Sequence, residues 1–193
     1  MKTLLRRFMY ALMALILTPM VVLADLAEES MNPLSTVVSV PFENNTLFNL
    51  GPSGSTANVL NIKPIFPINM GEWNLINRFI LPIVSTEGQD EIDAGFNWGI
   101  GYTGSFGLGN ASGLGDLTYQ GFVTPTKSGK VAYGFGGSLV MPTHSEARFG
   151  SDKWSIGPAA VMFAPVGNWV LGGIVQNIWS VAGDSDAADV NVF

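Results

Sequence analysis

Lys63, Arg78, Asp116 and Gln120 are the residues whose types and placing could act together in this chain. Each falls on the polar side of an amphipathic segment, with Asn61, Asn74 and Thr118 beside them. Charged rings around a water-filled lumen set ion and solute selectivity. The same residues could instead fill the lumen as a structural plug, with Lys63 and Arg78 neutralising Asp116. Barrels of about 8 strands are filled by their own side chains, whereas 16 or more strands leave a channel. Both readings stay open at this level.

Other chemistry has little material. There is no Cys, which excludes disulfides, thiolate metal sites and cysteine nucleophiles. A Ser-His-Asp triad would have to use His144, which sits in the polar stretch Thr143-His144-Ser145-Glu146 and reads as a solvent-exposed loop residue. Glu87, Asp90, Glu91 and Asp93 could offer carboxylate oxygens to Ca²⁺, but their spacing matches no EF-hand and a solvated loop explains them. Gly99-Ile100-Gly101-Tyr102-Thr103-Gly104 spells the dinucleotide fingerprint without the buried strand, helix and distant acid that the motif needs. No enzyme, cofactor or metal centre is expected.

The elements that must carry these residues are strands. Val59–Ile68 sets Leu60, Ile62, Pro64, Phe66 and Ile68 against Asn61 and Lys63. Trp73–Val84 sets Trp73, Leu75, Phe79, Leu81 and Ile83 against Asn74 and Arg78. Val131–Met141, Trp154–Ala164 and Trp169–Val181 repeat the period of two, which is the mark of a half-buried strand. Ser35–Glu43 and Leu114–Pro125 complete seven strands, and Asp189–Phe193 would open an eighth. These runs exceed the ~5–6 residues usual in globular strands. They match the ~9–11 tilted residues that cross a bilayer. Their second face is Gly, Ala, Ser, Asn and Gln rather than a charged exterior, which favours a transmembrane barrel over a soluble sandwich or a periplasmic barrel holding an apolar ligand.

Connections and aromatics agree. Asn69–Glu72, Thr126–Lys130 and Pro165–Asn168 are tight, while Asn44–Ala57, Ser85–Gly113, Thr143–Asp152 and Ala182–Ala188 are long. Alternating short and long connections are the asymmetry of outer-membrane barrels. Keeping that parity makes Ser85–Gly113 one excursion, at most a short hairpin or an inward fold. Trp73, Trp154, Trp169 and Trp179 fall at strand ends, where an aromatic girdle would sit. Pro64 and Pro67 fit a strand interior poorly. Asn77 and Asn177 lie on the apolar side, so the fold must supply a bulge or a polar contact between neighbouring strands.

Residues 1–24 read as a cleaved signal peptide: Lys2, Arg6 and Arg7, then an apolar run, then Val22-Leu23-Ala24. Its removal leaves six basic residues against fifteen acids, a formal charge of −9, which offers nucleic acid no basic surface. Residues 25–193 then form the N-terminal part of one barrel domain. Phe193 suggests a terminal strand residue, but Asn191 and Asp189 do not suit such a strand, so the barrel is expected to be incomplete at its C-terminal side. The expected setting is the outer membrane, with lipid and a small-molecule solute as partners. The sequence leaves the oligomeric state open.

Several phrases in order resemble a bacterial family of outer-membrane transporters named for the meta-pathway of phenol degradation. They are Val40–Thr46, Asn58–Pro64, Trp73–Arg78, Gly113–Leu117, Lys153–Pro158 and Gln176–Gly183. The resemblance implies a single antiparallel barrel with a signal peptide, passing small compounds, aromatic ones among them. It supplies no catalytic residues. Asp93–Ser112 is longer and richer in Gly than the family pattern.

Overall fold

The computed structural model describes residues 34–50, 54–87, 91–92, 106–107, 110–127, 129–166, 169–187 and 191–192. Residues 1–24, the Gly-rich run 99–104, Asp90, Asp93 and Phe193 lie outside them. The described chain is an antiparallel all-β meander, a sheet curled into a half-barrel.

In chain order the strands are β1 (Phe42–Leu50), β2 (Ser55–Ile62), β3 (Ile65–Asn69), β4 (Trp73–Glu87), β5 (Glu91–Ile92), β6 (Phe106–Gly107) and β7 (Ala111–Leu114). Then come β8 (Leu117–Pro125), β9 (Ala132–Met141), β10 (Lys153–Val166), β11 (Trp169–Gln176), β12 (Ile178–Gly183) and β13 (Asn191–Val192). The main sheet runs β1-β2-β4-β8-β9-β10-β12-β13, with β3 and β7 also on β4 and β11 on β10. β2 and β3 keep one register against β4, and β11 and β12 continue one another along β10. The ladder thins at Asn177 because its partner Pro158 has no N–H to give, although Asn177 N donates to Pro158 O at 3.1 Å.

Burial alternates as the period of two requires. β4 buries Asn74, Ile76, Ile80, Pro82, Val84 and Thr86 and turns Trp73, Leu75, Asn77, Phe79, Leu81 and Ile83 outward. Lateral pairing extends this parity across the sheet: Asn74↔Thr124, Ile76↔Phe122, Arg78↔Gln120 and Ile80↔Thr118 share the concave face. Two apolar clusters form on that face. One joins Leu34, Ile65, Ile76, Phe122, Ala159 and Val161, the other Val59, Val84 and Phe149.

Curvature has a glycine origin. A Cβ on Gly136 of β9 would lie 1.7 Å from Gly121 O, and one on Gly157 of β10 would lie 1.6 Å from Asn177 O. Both residues belong to the concave face, so the adjacent strand folds into the space that a side chain would occupy. Such corner glycines let a sheet close on itself.

The sequence-based boundaries shift in several places. The first strand is Phe42–Leu50, not Ser35–Glu43, so Asn44–Ala57 is a hairpin rather than a long excursion. Its polar residues hid the strand. Asn44, Asn45 and Thr46 show no apolar alternation, yet Thr46 ties the pair by its side chain, Asn58 Nδ2 donating to Thr46 Oγ1 at 2.7 Å, while Asn45 Nδ2 donates to Glu43 Oε1 along the same strand at 2.9 Å. Leu34 and Ser35 are buried, at 5% and 0% exposure, instead of opening a strand. Within Ser85–Gly113, β4 runs on to Glu87, β5 pairs with β6 as a short ribbon, and β7 returns along β4. The terminal run does pair, Ile178↔Val192 and Trp179↔Asn191.

Asn77 finds the neighbour-strand contacts that its place demanded. Its Nδ2 donates to Phe66 O at 3.1 Å, and Tyr119 Oη donates to its Oδ1 at 2.8 Å. Phe79 lies between, 6.4 Å from Phe66 and 5.2 Å from Tyr119 by ring centroids. Replacing Tyr119 with Phe strands that Oδ1 on an apolar face. The expected cost is about 1–3 kcal/mol, read as a lower denaturation midpoint in micelles. An unchanged midpoint would show that the bond contributes nothing.

Candidate functional site: the polar band of the concave face

The band is built by register. Lys63 follows β2, and between the pairs Ile62↔Leu81 and Ile65↔Arg78 it falls opposite Ile80. Ile80 pairs with Thr118 on its other side, and Arg78, two residues along β4, pairs with Gln120. Lateral neighbours on one face stand ~4.5–5.5 Å apart at Cβ. Ile80 is therefore an apolar floor ringed by Lys63, Arg78 and Thr118, with Asn61 next along β2.

Hydrogen bonds tie the band across the curled sheet. Arg78 Nη1 donates to Gln120 Oε1 at 3.1 Å. Gln120 Nε2 donates to Ser138 Oγ at 3.3 Å and Gln176 Oε1 at 3.0 Å, and Ser138 Oγ donates to Gln176 Oε1 at 2.8 Å. Gln120 on β8 reaches Gln176 on β11 because Gly136 and Gly157 leave no side chains between them. Lys63 Nζ is paired with Glu43 Oε2 at 2.6 Å. Unmatched groups remain. Both amide atoms of Asn61, Thr118 Oγ1 and Arg78 Nε have no hydrogen-bond partner. Asn61 is 1% exposed and Thr118 0%.

Asp116 has a different occupation. It lies between β7 and β8, where the loop Thr143–Asp152 docks on the sheet. Its Oδ1 accepts from Thr143 N at 3.0 Å and His144 N at 3.1 Å, and lies 2.7 Å from His144 Nδ1. Its Oδ2 accepts from Ser151 N at 2.7 Å. Thr143 and Ser145 replace the missing strand partners, Leu117 N donating to Thr143 Oγ1 and Leu114 N to Ser145 Oγ. The loop thereby lowers Phe149, 2% exposed, onto Val59 and Val84.

Sequence reasoning missed this latch. His144 is not a solvated loop histidine: its side chain is 8% exposed, held between Asp116 and Asp152, whose Oδ1 is 3.3 Å from Nε2. Lys63 and Arg78 do not neutralise Asp116, since the three charges have separate partners. Phe149, the lone aromatic of a polar loop, was the available sign of an anchor. Leu34 and Ser35 gave none, because their burial depends on a wall distant in sequence. Among the described residues no group of His, Asp and Glu is arranged to hold a metal.

Trp73, Trp154, Trp169 and Trp179 all stand on the convex face, 46%, 43%, 75% and 42% exposed. Trp73 and Trp169 are beside the short turns, Trp154 and Trp179 at the opposite end of the sheet. Between them Phe66, Val123, Tyr133, Phe135, Ile156, Met162, Leu171 and Val175 are also exposed.

Residues 52–189 match the sequence profile of the family described as "Putative MetA-pathway of phenol degradation". The chain belongs to this family. Neither a curated protein nor a solved structure matches it. The polar band and the loop latch are the two polar constructions of its concave face.

Proposed function

We propose that this chain is the wall of an outer-membrane β-barrel that passes small solutes passively down their gradients. The observation that carries the reading is the convex face of β4 and β8–β12. From Trp73 to Ile83 on β4, and at the outward positions of β8–β12, it carries Leu, Ile, Val, Phe, Met, Ala and Trp and no charged side chain; Glu87 lies beyond, at the far end of β4. Soluble sheets put their charges there, whereas lipid requires an apolar band flanked by aromatic girdles. Along β10, about twelve residues separate Trp154 from the pair Val166↔Trp169, a path of ~40 Å at ~3.4 Å per residue. A tilt of about 45° reduces this to ~28 Å, close to the ~25 Å band of outer-membrane barrels. The family description adds an association with phenol breakdown, which suits a solute that is small and aromatic.

The full-length protein is expected to resist carbonate extraction, to migrate differently on gels before and after boiling, and to make liposomes permeable to small solutes. Release by carbonate would defeat the reading. Lys63→Gln together with Arg78→Gln should shift ion selectivity in planar bilayers away from anions. Unchanged selectivity would remove these residues from the solute path.

A second reading is a plugged structural barrel whose external loops bind partners. It draws on Leu34 and Phe149, which fill the concave face on either side of the polar band. Intact, membrane-inserted protein that leaves liposomes impermeable would decide for it.

A further inference from the structure

The unmatched polar groups around Ile80 form a set, not a scatter. Asn61, Arg78 and Thr118 each carry a buried side-chain atom with no partner, and all three face the same side of neighbouring strands β2, β4 and β8. Burying such atoms unbonded is costly, so a native fold that keeps several together holds a place for something that bonds them. Their chemistry is specific. The guanidinium Nε–H, the hydroxyl and the amide NH₂ are all donors on one face, suited to a solute rich in acceptors.

Charge points the same way. Lys63 and Arg78 are opposed by Glu43, whose Oε2 is taken by Lys63 and whose Oε1 accepts from Asn45. Asp116, beside Pro82, is already saturated by three backbone N–H groups and an imidazole. Among the described residues Arg78 makes no ion pair. The band thus keeps one unneutralised guanidinium in a place largely shielded from water. Its surroundings are apolar: Ile80 beneath, Phe122 with Ile76 on one side, Phe149 with Val84 on the other.

We propose that Asn61, Arg78 and Thr118 form a binding site for the carboxylate of a small organic acid whose apolar body lies against Ile80 and its flanking clusters. Arg78 Nε–H, Thr118 Oγ–H and Asn61 Nδ2–H donate to the carboxylate oxygens, and Asn61 Oδ1 takes a water or a hydroxyl of the solute. Charge-assisted bonds of this kind are roughly twice as strong as neutral ones. The site rests on the channel reading only for its use in transport; binding itself does not require an open lumen.

The test is calorimetric titration of the full chain in detergent micelles with benzoate, benzyl alcohol and benzylamine, which share a ring and differ in charge. Benzoate should bind at least ten times more tightly than the other two. Arg78→Gln should abolish that preference, and Thr118→Val should weaken benzoate several-fold while leaving benzyl alcohol unchanged. Boiled and unboiled migration establishes that each variant folds, and Asn61→Leu gives a further variant should either fail. Equal binding of the three probes, or heats indistinguishable from dilution, overturns the site. Liposomes separate the two readings. Protein-dependent swelling of liposomes in a small sugar without benzoate binding sinks the site and spares the channel; benzoate binding in protein that passes no solute does the reverse.

Discussion

Valine at Gly136 or Gly157 is expected to abolish the folded form of this protein. Ordinary core substitutions leave a cavity or an overpacked corner that costs about 1–3 kcal/mol and relaxes by side-chain movement. No such relaxation exists here. The atom 1.7 Å from a Cβ at Gly136 is the Gly121 carbonyl oxygen, and the atom 1.6 Å from one at Gly157 is the Asn177 carbonyl oxygen. Backbone can move away only if β8–β9 or β10–β11 uncurl, which separates Gln120 from Gln176 and opens the cluster of Phe122, Ala159 and Val161. A loss of several kcal/mol is comparable with the whole stability of a domain, ~5–15 kcal/mol. The measurement is the fraction of refolded protein that migrates as the compact form before boiling. Gly173→Val, where a Cβ meets nothing within 4 Å, serves as the control and should leave that fraction unchanged. If Gly136→Val and Gly157→Val refold as well as the control, the account of the curvature is wrong.

Asp116→Ala should release the loop Thr143–Asp152. The substitution removes the acceptor of three backbone N–H groups and the partner of a buried imidazole at once. Leaving a buried donor without its acceptor costs about 1–3 kcal/mol, more where the lost acceptor is charged. Asp116→Asn keeps the shape and part of the accepting capacity, so its cost should be smaller, about 1.5–3 kcal/mol for hydrogen bonds that lose their charge. Arg148 reports on the loop directly. It lies in the turn that carries Phe149, its side chain is 39% exposed, and it is paired only with Glu146. Trypsin should cut after Arg148 slowly in the parent protein and at least tenfold faster in Asp116→Ala. Equal rates would mean that the loop is held by Phe149 and the Ser145 bonds without help from the carboxylate.

How far the sequence could be read follows from what alternation encodes. Period-two patterning reports a strand when one side is apolar and the other is not. β4, β8, β9 and β10 satisfy that condition and are legible to within three residues at each end. β1 does not: Asn44, Asn45 and Thr46 place amides and a hydroxyl on both sides, and only the cross-strand Asn58–Thr46 bond reveals the pairing. The placing of Lys63, Arg78 and Gln120 on one face followed from parity alone. Their partners did not, because Glu43, Gln176 and Ser138 are brought in by register and curvature. Asp116 shows the limit most clearly. Its alternation was readable, but its ligands are main-chain amides of residues 143, 144 and 151, which no side-chain pattern announces. Asn77 was legible as a problem, and Tyr119 was its unreadable answer.

The order of materials along the concave face has a consequence for any traffic through it. From the short-turn end a visitor meets Leu34 and Phe122, then the amides and the guanidinium, then Phe149. In the proposed channel, apolar stretches of this kind would break a continuous thread of water and so resist the leak of hydrated inorganic ions. On that proposal, molecules bearing both a ring and a charge would be the ones able to negotiate each stage in turn. Flux through such a series would rise with concentration and then level off, as occupancy of the middle stage became complete.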